Sequence, residues 1–291
     1  MTKTSAEKRA ATIRMQKEMR AKIAPLFKPK SKKQLLEEAQ QLVYDAWDAP
    51  TRQRSVLLAR RALEISPDCT DAYVILAELA STIEEATELY RQGIKAGERA
   101  LGKKCFRDDV GYFWGLLDTR PYMRAMNGLA GLLWAVGEAE EAVAIWREML
   151  RLNPGDNQGV RYELLACLME LLRNEEACAL LQQFEGDYMA DWAYGEALLA
   201  FRLEGDSEEA GKKLAIALQK NTYVPTYFLG RKKIPKRLPD YVSPGEESEA
   251  VSTASAFQVS WAKTPGALEW LAAAVQNGKA APKSARPIRK K

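Results

Sequence analysis

The sequence has no histidine among its 291 residues. That excludes a His-based catalytic triad, a His metal ligand and a His proton shuttle. Its four cysteines, Cys69, Cys105, Cys167 and Cys178, stand too far apart for a CxxC or zinc-knuckle spacing, so no structural zinc site is expected and the thiols are expected to be reduced. No stretch approaches eighteen uncharged apolar residues, which argues against a membrane span or a secretory leader and for a cytoplasmic protein. Also missing are GxxxxGK[ST], GxGxxG and GxSxG, the fingerprints of phosphate cradles and nucleophile elbows. Acidic clusters are plentiful, but Glu138, Glu140, Glu141, Glu175 and Glu176 fall at turns or in first helical turns, where they meet the helix dipole. No enzyme activity, metal or cofactor is therefore expected.

What is present is a globular composition, 47% hydrophobic and 28% charged, with an uneven distribution of charge. Residues 1–33 carry eleven Lys and Arg against Glu7 and Glu18, and residues 277–291 carry six basic residues and no acid. The intervening body keeps 26 basic and 37 acidic residues of the chain's 43 and 39. Two basic arms thus flank an acidic body; they either attract phosphate backbones and acidic partners or serve as solubilising tails. A third basic cluster, GRKKIPKRLP at 230–239, supplies Arg231, Lys232, Lys233, Lys236 and Arg237 as an anion-binding set. Together the three form the footprint of a weak nucleic-acid binder.

Between the arms the apolar period is helical throughout. In 119–154, Leu129, Ala130, Leu132 and Leu133 stripe one helix and Gly137 ends it. Ala142, Val143, Ile145, Trp146 and Met149 stripe a second helix, which Pro154 closes. Neither stripe can be covered by its own hairpin, so such pairs must stack. Leu129, Ala130, Gly137, Ala142, Trp146 and Pro154 in this order resemble the tetratricopeptide repeat (TPR). Using the early alanine of the second helix as a ruler, Ala142, Ala177 and Ala210 lie 35 and 33 residues apart. Ala86 with Tyr90, and LLARRALEISP at 57–67, mark earlier units, while 93–122 interrupts the rhythm.

The resemblance implies an all-α, right-handed solenoid of stacked helical hairpins with C-terminal capping helices. Its parts are a basic arm at 1–33, repeats over 34–220, a loop and capping helices over 221–276, and a basic tail at 277–291. Residues 221–246 read as irregular chain, followed by helices at 250–263 and 264–275, with Thr264 as N-cap and Pro265 in the first turn of the second. In TPR arrays the first helices line a groove, and the matching positions here include Arg124, Asn127, Gly131, Trp134, Ala135, Tyr162, Met169, Trp192 and Arg202. Trp, Tyr and Arg dominate interface energetics; the alternative for Trp134, Tyr162 and Trp192 is core packing. Arg161 falls on a core-facing side, where a buried ion pair is the alternative to a role beside the groove. The implied function is a non-catalytic adaptor or scaffold that holds a peptide or partner protein; a strict carboxylate clamp is not expected, though an acidic ligand could use Arg124 and Arg202 as bidentate forks. The competing reading is a nucleic-acid- or ribonucleoprotein-associated factor that uses the basic arms.

Overall fold

Residues 14–15, 17–19 and 29–280 are described by a computed structural model, and among them every regular element is a helix. The basic arms expected at 1–33 and 277–291 lie largely outside these residues. The chain divides into two compact units, Met1–Gly102 and Lys103–Lys291. The division falls inside the irregular stretch 93–122.

In the first unit, α1 (Lys32–Trp47) pairs with α2 (Arg52–Ile65), and α3 (Thr70–Glu78) packs on both. Helix α1 opens with a capping box: the Ser31 Oγ accepts from the Gln34 N–H, and the Gln34 side chain accepts from the Ser31 N–H. That closure satisfies two donors the helix start leaves orphaned. Ala39, Val43 and Ala46 meet Leu58, Ala59, Ala62, Ala72 and Ile75 in one core. The many alanines let the helix axes approach closely. Helix α4 (Ile83–Asp108) follows, and its backbone breaks at Gly102, where φ is 69° and ψ 163°. Before the break, Arg99 donates to Asp68 Oδ1 (2.7 Å) and the Pro67 carbonyl (3.2 Å), tying α4 to the α2–α3 turn.

In the second unit the hairpins are α5 (Arg120–Ala135) with α6 (Ala139–Leu152), α7 (Val160–Glu170) with α8 (Asn174–Gln183), and α9 (Ala190–Glu204) with α10 (Glu208–Lys220). Ala142, Ala177 and Ala210 are each 0% exposed, in keeping with the small residue that close helix packing requires there. The turns repeat as well. Gly137 (φ 88°), Leu172 (φ 59°) and Gly205 (φ 69°) occupy the same left-handed place after α5, α7 and α9. The segment before α5 is stitched to the end of α6, since the Gly111 and Phe113 N–H groups both donate to the Leu152 carbonyl (2.9 and 3.2 Å).

Past α10 the structure departs from the sequence reading in three places. Residues 224–228 form a short helix, α11 (Val224–Phe228), whose Val224, Pro225, Tyr227 and Phe228 are buried. Helix α12 (Glu247–Lys263) does not cap the array's end; it packs on α7, α9 and α11. The capping position belongs to α13 (Ala267–Ala280), which contacts α10, α11 and α12. Thr264 closes α12 rather than opening α13, because its hydroxyl donates back to the Ser260 carbonyl (2.8 Å).

Candidate functional site

The expected groove belongs to the first helices α5, α7 and α9, and the chain itself fills two thirds of it. Thr253 near the start of α12 donates to Asp191 at the start of α9 (3.1 Å). Near the other end, Arg202 of α9 donates to the Ser260 carbonyl (3.1 Å) and to Thr264 Oγ1 (2.9 Å), and Lys263 pairs with Glu170 at the end of α7 (3.1 Å). Helix α12 therefore runs parallel to α7 and α9, along the face where a helical ligand would lie. Between these ends Phe257 sits over Gly195: a Cβ on Gly195 would stand 3.5 Å from the Phe257 ring and 3.0 Å from Leu165. The absent side chain makes the hole into which the aromatic knob fits.

Two further devices hold α12. Trp261 stacks between Phe228 (5.2 Å) and Trp270 (6.3 Å), and Trp270 stacks on Phe201 (4.6 Å). Glu249, buried on α12, accepts from the Ala190 N–H (2.9 Å), the Asn221 side-chain amide (2.9 Å) and the Gly245 N–H (2.7 Å). Its three donors include the first N–H of α9, so the carboxylate also meets the positive end of that helix. Asp191 lies close by, and burial pushes its carboxyl up to about 7, with the Glu249 and Glu163 charges adding to the rise and the Thr253 hydroxyl opposing it.

The sequence-selected groove residues part company here. Met169 (0% exposed) and Trp192 (1%) are core, not groove wall, with Tyr162 and Phe184 set edge-on to the Trp192 ring. Arg202 is no free fork for an acidic ligand. Besides the α12 contacts it donates to the Met169 carbonyl (2.7 Å) and Asn174 (3.3 Å), and burial draws its guanidinium down to about 10. The Tyr162 hydroxyl donates to Asp187 (2.8 Å), within a cluster where Arg161 bridges Asp156 (3.0 Å) and Asp187 (2.7 Å). That cluster fastens the α8–α9 connection onto the start of α7 and is the buried ion pair foreseen for Arg161. Asn127 accepts from the Trp146 indole (3.1 Å), a contact inside its own hairpin.

What remains open is the α5 row. Arg124 and Trp134 are half-buried, and Gly131 and Ala135 are exposed. Apart from its chain neighbours and its own helix backbone, no described atom lies within 4 Å of where a Gly131 Cβ would be. Glu163 of α7 reaches solvent and pairs with no described residue; the chain around it pushes its carboxyl above the ordinary range.

The basic run 230–239 is partly neutralised. Lys232 pairs with Glu247 and lies over the Tyr227 ring (5.7 Å), and Arg237 pairs with Asp240 (2.9 Å). Arg231, Lys233 and Lys236 stay exposed. Three thiols are not primed for attack: burial pushes Cys69 up to about 12, Cys105 up to about 11, and Cys167 upward too. A thiol raised this far holds little thiolate at neutral pH.

Sequence reasoning missed Phe257, Trp261, Glu249 and Asp191. A signal existed in the four-residue spacing of Phe257 and Trp261 with Ala250 and Ala254, which puts one apolar stripe on α12. Gly195, inside a helix with no turn to make, was the matching clue on the other side.

Comparison with known proteins adds a family. The model of the ST7 protein family matches residues 26–286. The chain is 28% identical over 249 residues to the suppressor of tumorigenicity 7 protein-like of Bos taurus, covering 78% of this chain and 45% of the relative. It is 26% identical over 281 residues to the suppressor of tumorigenicity 7 protein of Macaca fascicularis, covering 81% and 52%. The chain thus spans about half the length of the curated relatives it matches. Among solved structures it is similar to YrrB, a TPR protein with an unusual peptide-binding site (TM-score 0.45, 17% identity, 64% of this chain and 84% of that one). It is also similar to BtubC (BKLC) from P. vanneervenii (TM-score 0.43, 16% identity, 90% and 100%).

Proposed function

We propose, for a chain that belongs to the ST7 protein family and is built of stacked helical hairpins, a non-catalytic adaptor that holds a partner segment against α5. The observation that carries this reading is the contrast along one face: α12 covers α7 and α9, while on α5 Gly131 and Ala135 are exposed and Trp134 half-buried. A half-buried tryptophan beside small residues supplies a large apolar contact with room for an incoming chain. Core packing takes Met169 and Trp192 out of the face, and the bonds to the end of α12 take out Arg202.

The test is affinity capture with the full chain, comparing wild type with Trp134→Ala combined with Gly131→Gln. Partners that wild type retains should be lost by the double variant, while circular dichroism and melting stay native. Undiminished capture by a folded double variant would sink the reading.

A further inference from the structure

We infer that the segment joining α11 to α12 forms a second binding site, one that takes an acidic stretch of a partner protein with a large apolar side chain as its anchor. The site contains no residue of α5, so it goes beyond the adaptor face and is tested apart from it. A cavity of about 350 Å³ opens here. Tyr227 of α11 and Val251 of α12, both buried, supply its apolar floor, and Pro235 and Pro239 of the connecting segment line it beside them. The segment is tied at both ends. After Gly230 (φ 66°) the Arg231 and Lys232 N–H groups both donate to the Thr226 carbonyl (2.9 and 3.1 Å), and at the far end the Ser243 N–H donates to Ser248 Oγ (3.0 Å). Between these ties each proline ring fixes its own φ. A hollow shaped before its ligand arrives loses little free energy to ordering on binding.

Charge selects the ligand. Residues 230–247 hold five basic side chains against Asp240, Glu246 and Glu247, a net of +2. Glu247 is the acid on the cavity lining, and it is already met, because Lys232 and the Tyr227 hydroxyl (2.8 Å) both donate to its carboxylate. That leaves Lys233 on the lining, exposed and with no described partner. Arg231 and Lys236, each next in sequence to a lining residue, are likewise exposed and unpaired, whereas Arg237 is held by Asp240 (2.9 Å). An unmatched cation at an apolar hollow is complementary to a carboxylate on a chain that also brings an apolar side chain. A nucleic acid fits less well: its bases need an open aromatic face to stack on, and Tyr227 is 2% exposed with Lys232 lying over its ring (5.7 Å). A free small molecule is ordinarily enclosed over most of its surface. Here Lys232, Lys233 and Pro235 are exposed, an open rim that suits one side chain of a longer ligand.

The experiment selects binders to the full chain from a displayed library of short linear peptides and reads their affinity by fluorescence anisotropy. Peptides with Phe, Leu or Met flanked by Asp and Glu should emerge. Their affinity should fall at least about tenfold on Lys233→Glu combined with Lys236→Glu, and as much when the peptide's anchor is changed to Ala. Both lysines are exposed, so the variant's melting should stay native. Pro235→Ala combined with Pro239→Ala should shrink the advantage of the anchored peptide over its Ala form. Peptides whose acids are changed to Lys should bind the Lys233→Glu, Lys236→Glu variant better than wild type. All of this should persist in the Trp134→Ala, Gly131→Gln variant, which separates the site from α5. If no selected peptide depends on the two lysines, the inference falls. Peptides that depend on the lysines but not on their anchor would reduce the site to charge attraction and overturn it too. Loss of these peptides in the α5 variant would place them on the adaptor face instead. Oligo(dT) that binds more tightly than the best peptide, and is lost with the same lysines, would give the site to nucleic acid and overturn the acidic peptide.

Discussion

Asp191 is buried beside two other acids, with its carboxyl raised to about 7 chiefly by loss of water. An unfolded aspartate titrates near 3.9. Between roughly pH 4 and 7 the folded chain holds a proton that the unfolded chain has released, so this group's contribution to stability falls as pH rises through that window. Below pH 4 both states are protonated and the effect vanishes. Asp191→Asn keeps an oxygen to accept from Thr253 and removes the charge. It should raise the melting temperature at pH 8 and flatten its decline between pH 5 and 8, as thermal unfolding over that range will read. A variant as pH-sensitive as wild type would move the linkage to another group, Asp156 and Glu163 being the other acids that burial pushes upward. Leu172 makes a separate, local argument. It holds φ at 59° where the equivalent turns use Gly137 and Gly205, and its side chain is 58% exposed. Left-handed backbone costs a side-chain residue about 1–2 kcal/mol, and glycine's extra unfolded freedom returns about 0.5–1 of that. Leu172→Gly should thus stabilise by up to about 1 kcal/mol in chemical denaturation, whereas Gly137→Leu should destabilise by a similar amount.

Helix α12 poses the question of whether an element lying in a binding face is a fixed part or a removable occupant. Phe257 and Trp261 are both fully buried. Two aromatic side chains of about 200 Å² each are worth on the order of 5 kcal/mol apiece at 25 cal/mol per Å². Against this stand Ser260 Oγ and the Trp261 indole N–H, buried with no described partner, at about 1–3 kcal/mol each. The apolar term wins, and the Glu249 and Arg202 bonds add to it, so α12 is part of the folded array. Phe257→Ala should cost about 3–5 kcal/mol, seen as a lower denaturant midpoint. A loss under 1 kcal/mol would mean that α12 is held only at its ends. The sequence shows α12 as a helix but not its place, for a physical reason. Its ESEAVSTASAFQVSWAK run spreads serine, threonine and alanine around the cylinder, and small side chains of that kind suit a polar cap as well as a close helix contact. The deciding features, the Gly195 hole and the α9 N-terminus awaiting Glu249, lie more than fifty residues away.

At the scale of the whole chain, the hairpin array is legible because close packing leaves one kind of residue at one place. Ala142, Ala177 and Ala210 mark a period that survives large drift elsewhere, and the division of the chain falls within the stretch that breaks it. The candidate site was half legible. A spacing rule puts Arg124, Trp134, Met169, Trp192 and Arg202 on one face, but it cannot say that Met169 and Trp192 pack into the core or that a later helix engages Arg202. The two units carry separate cores, Ala39, Val43, Leu58 and Ile75 in the first and the Phe257 and Trp261 contacts in the second. Gly102 at their boundary has a φ and ψ that only glycine adopts without strain. Because cooperative units open along such boundaries, the damage from Phe257→Ala should stay in its own unit. Hydrogen exchange of that variant should lose protection across α7, α9 and α12 and keep wild-type protection in α1, α2 and α3. Loss that spreads into α1 to α3 would make the chain one cooperative unit, in which case a Gly102→Ala substitution, straining the boundary by about 1–3 kcal/mol, would lower protection throughout.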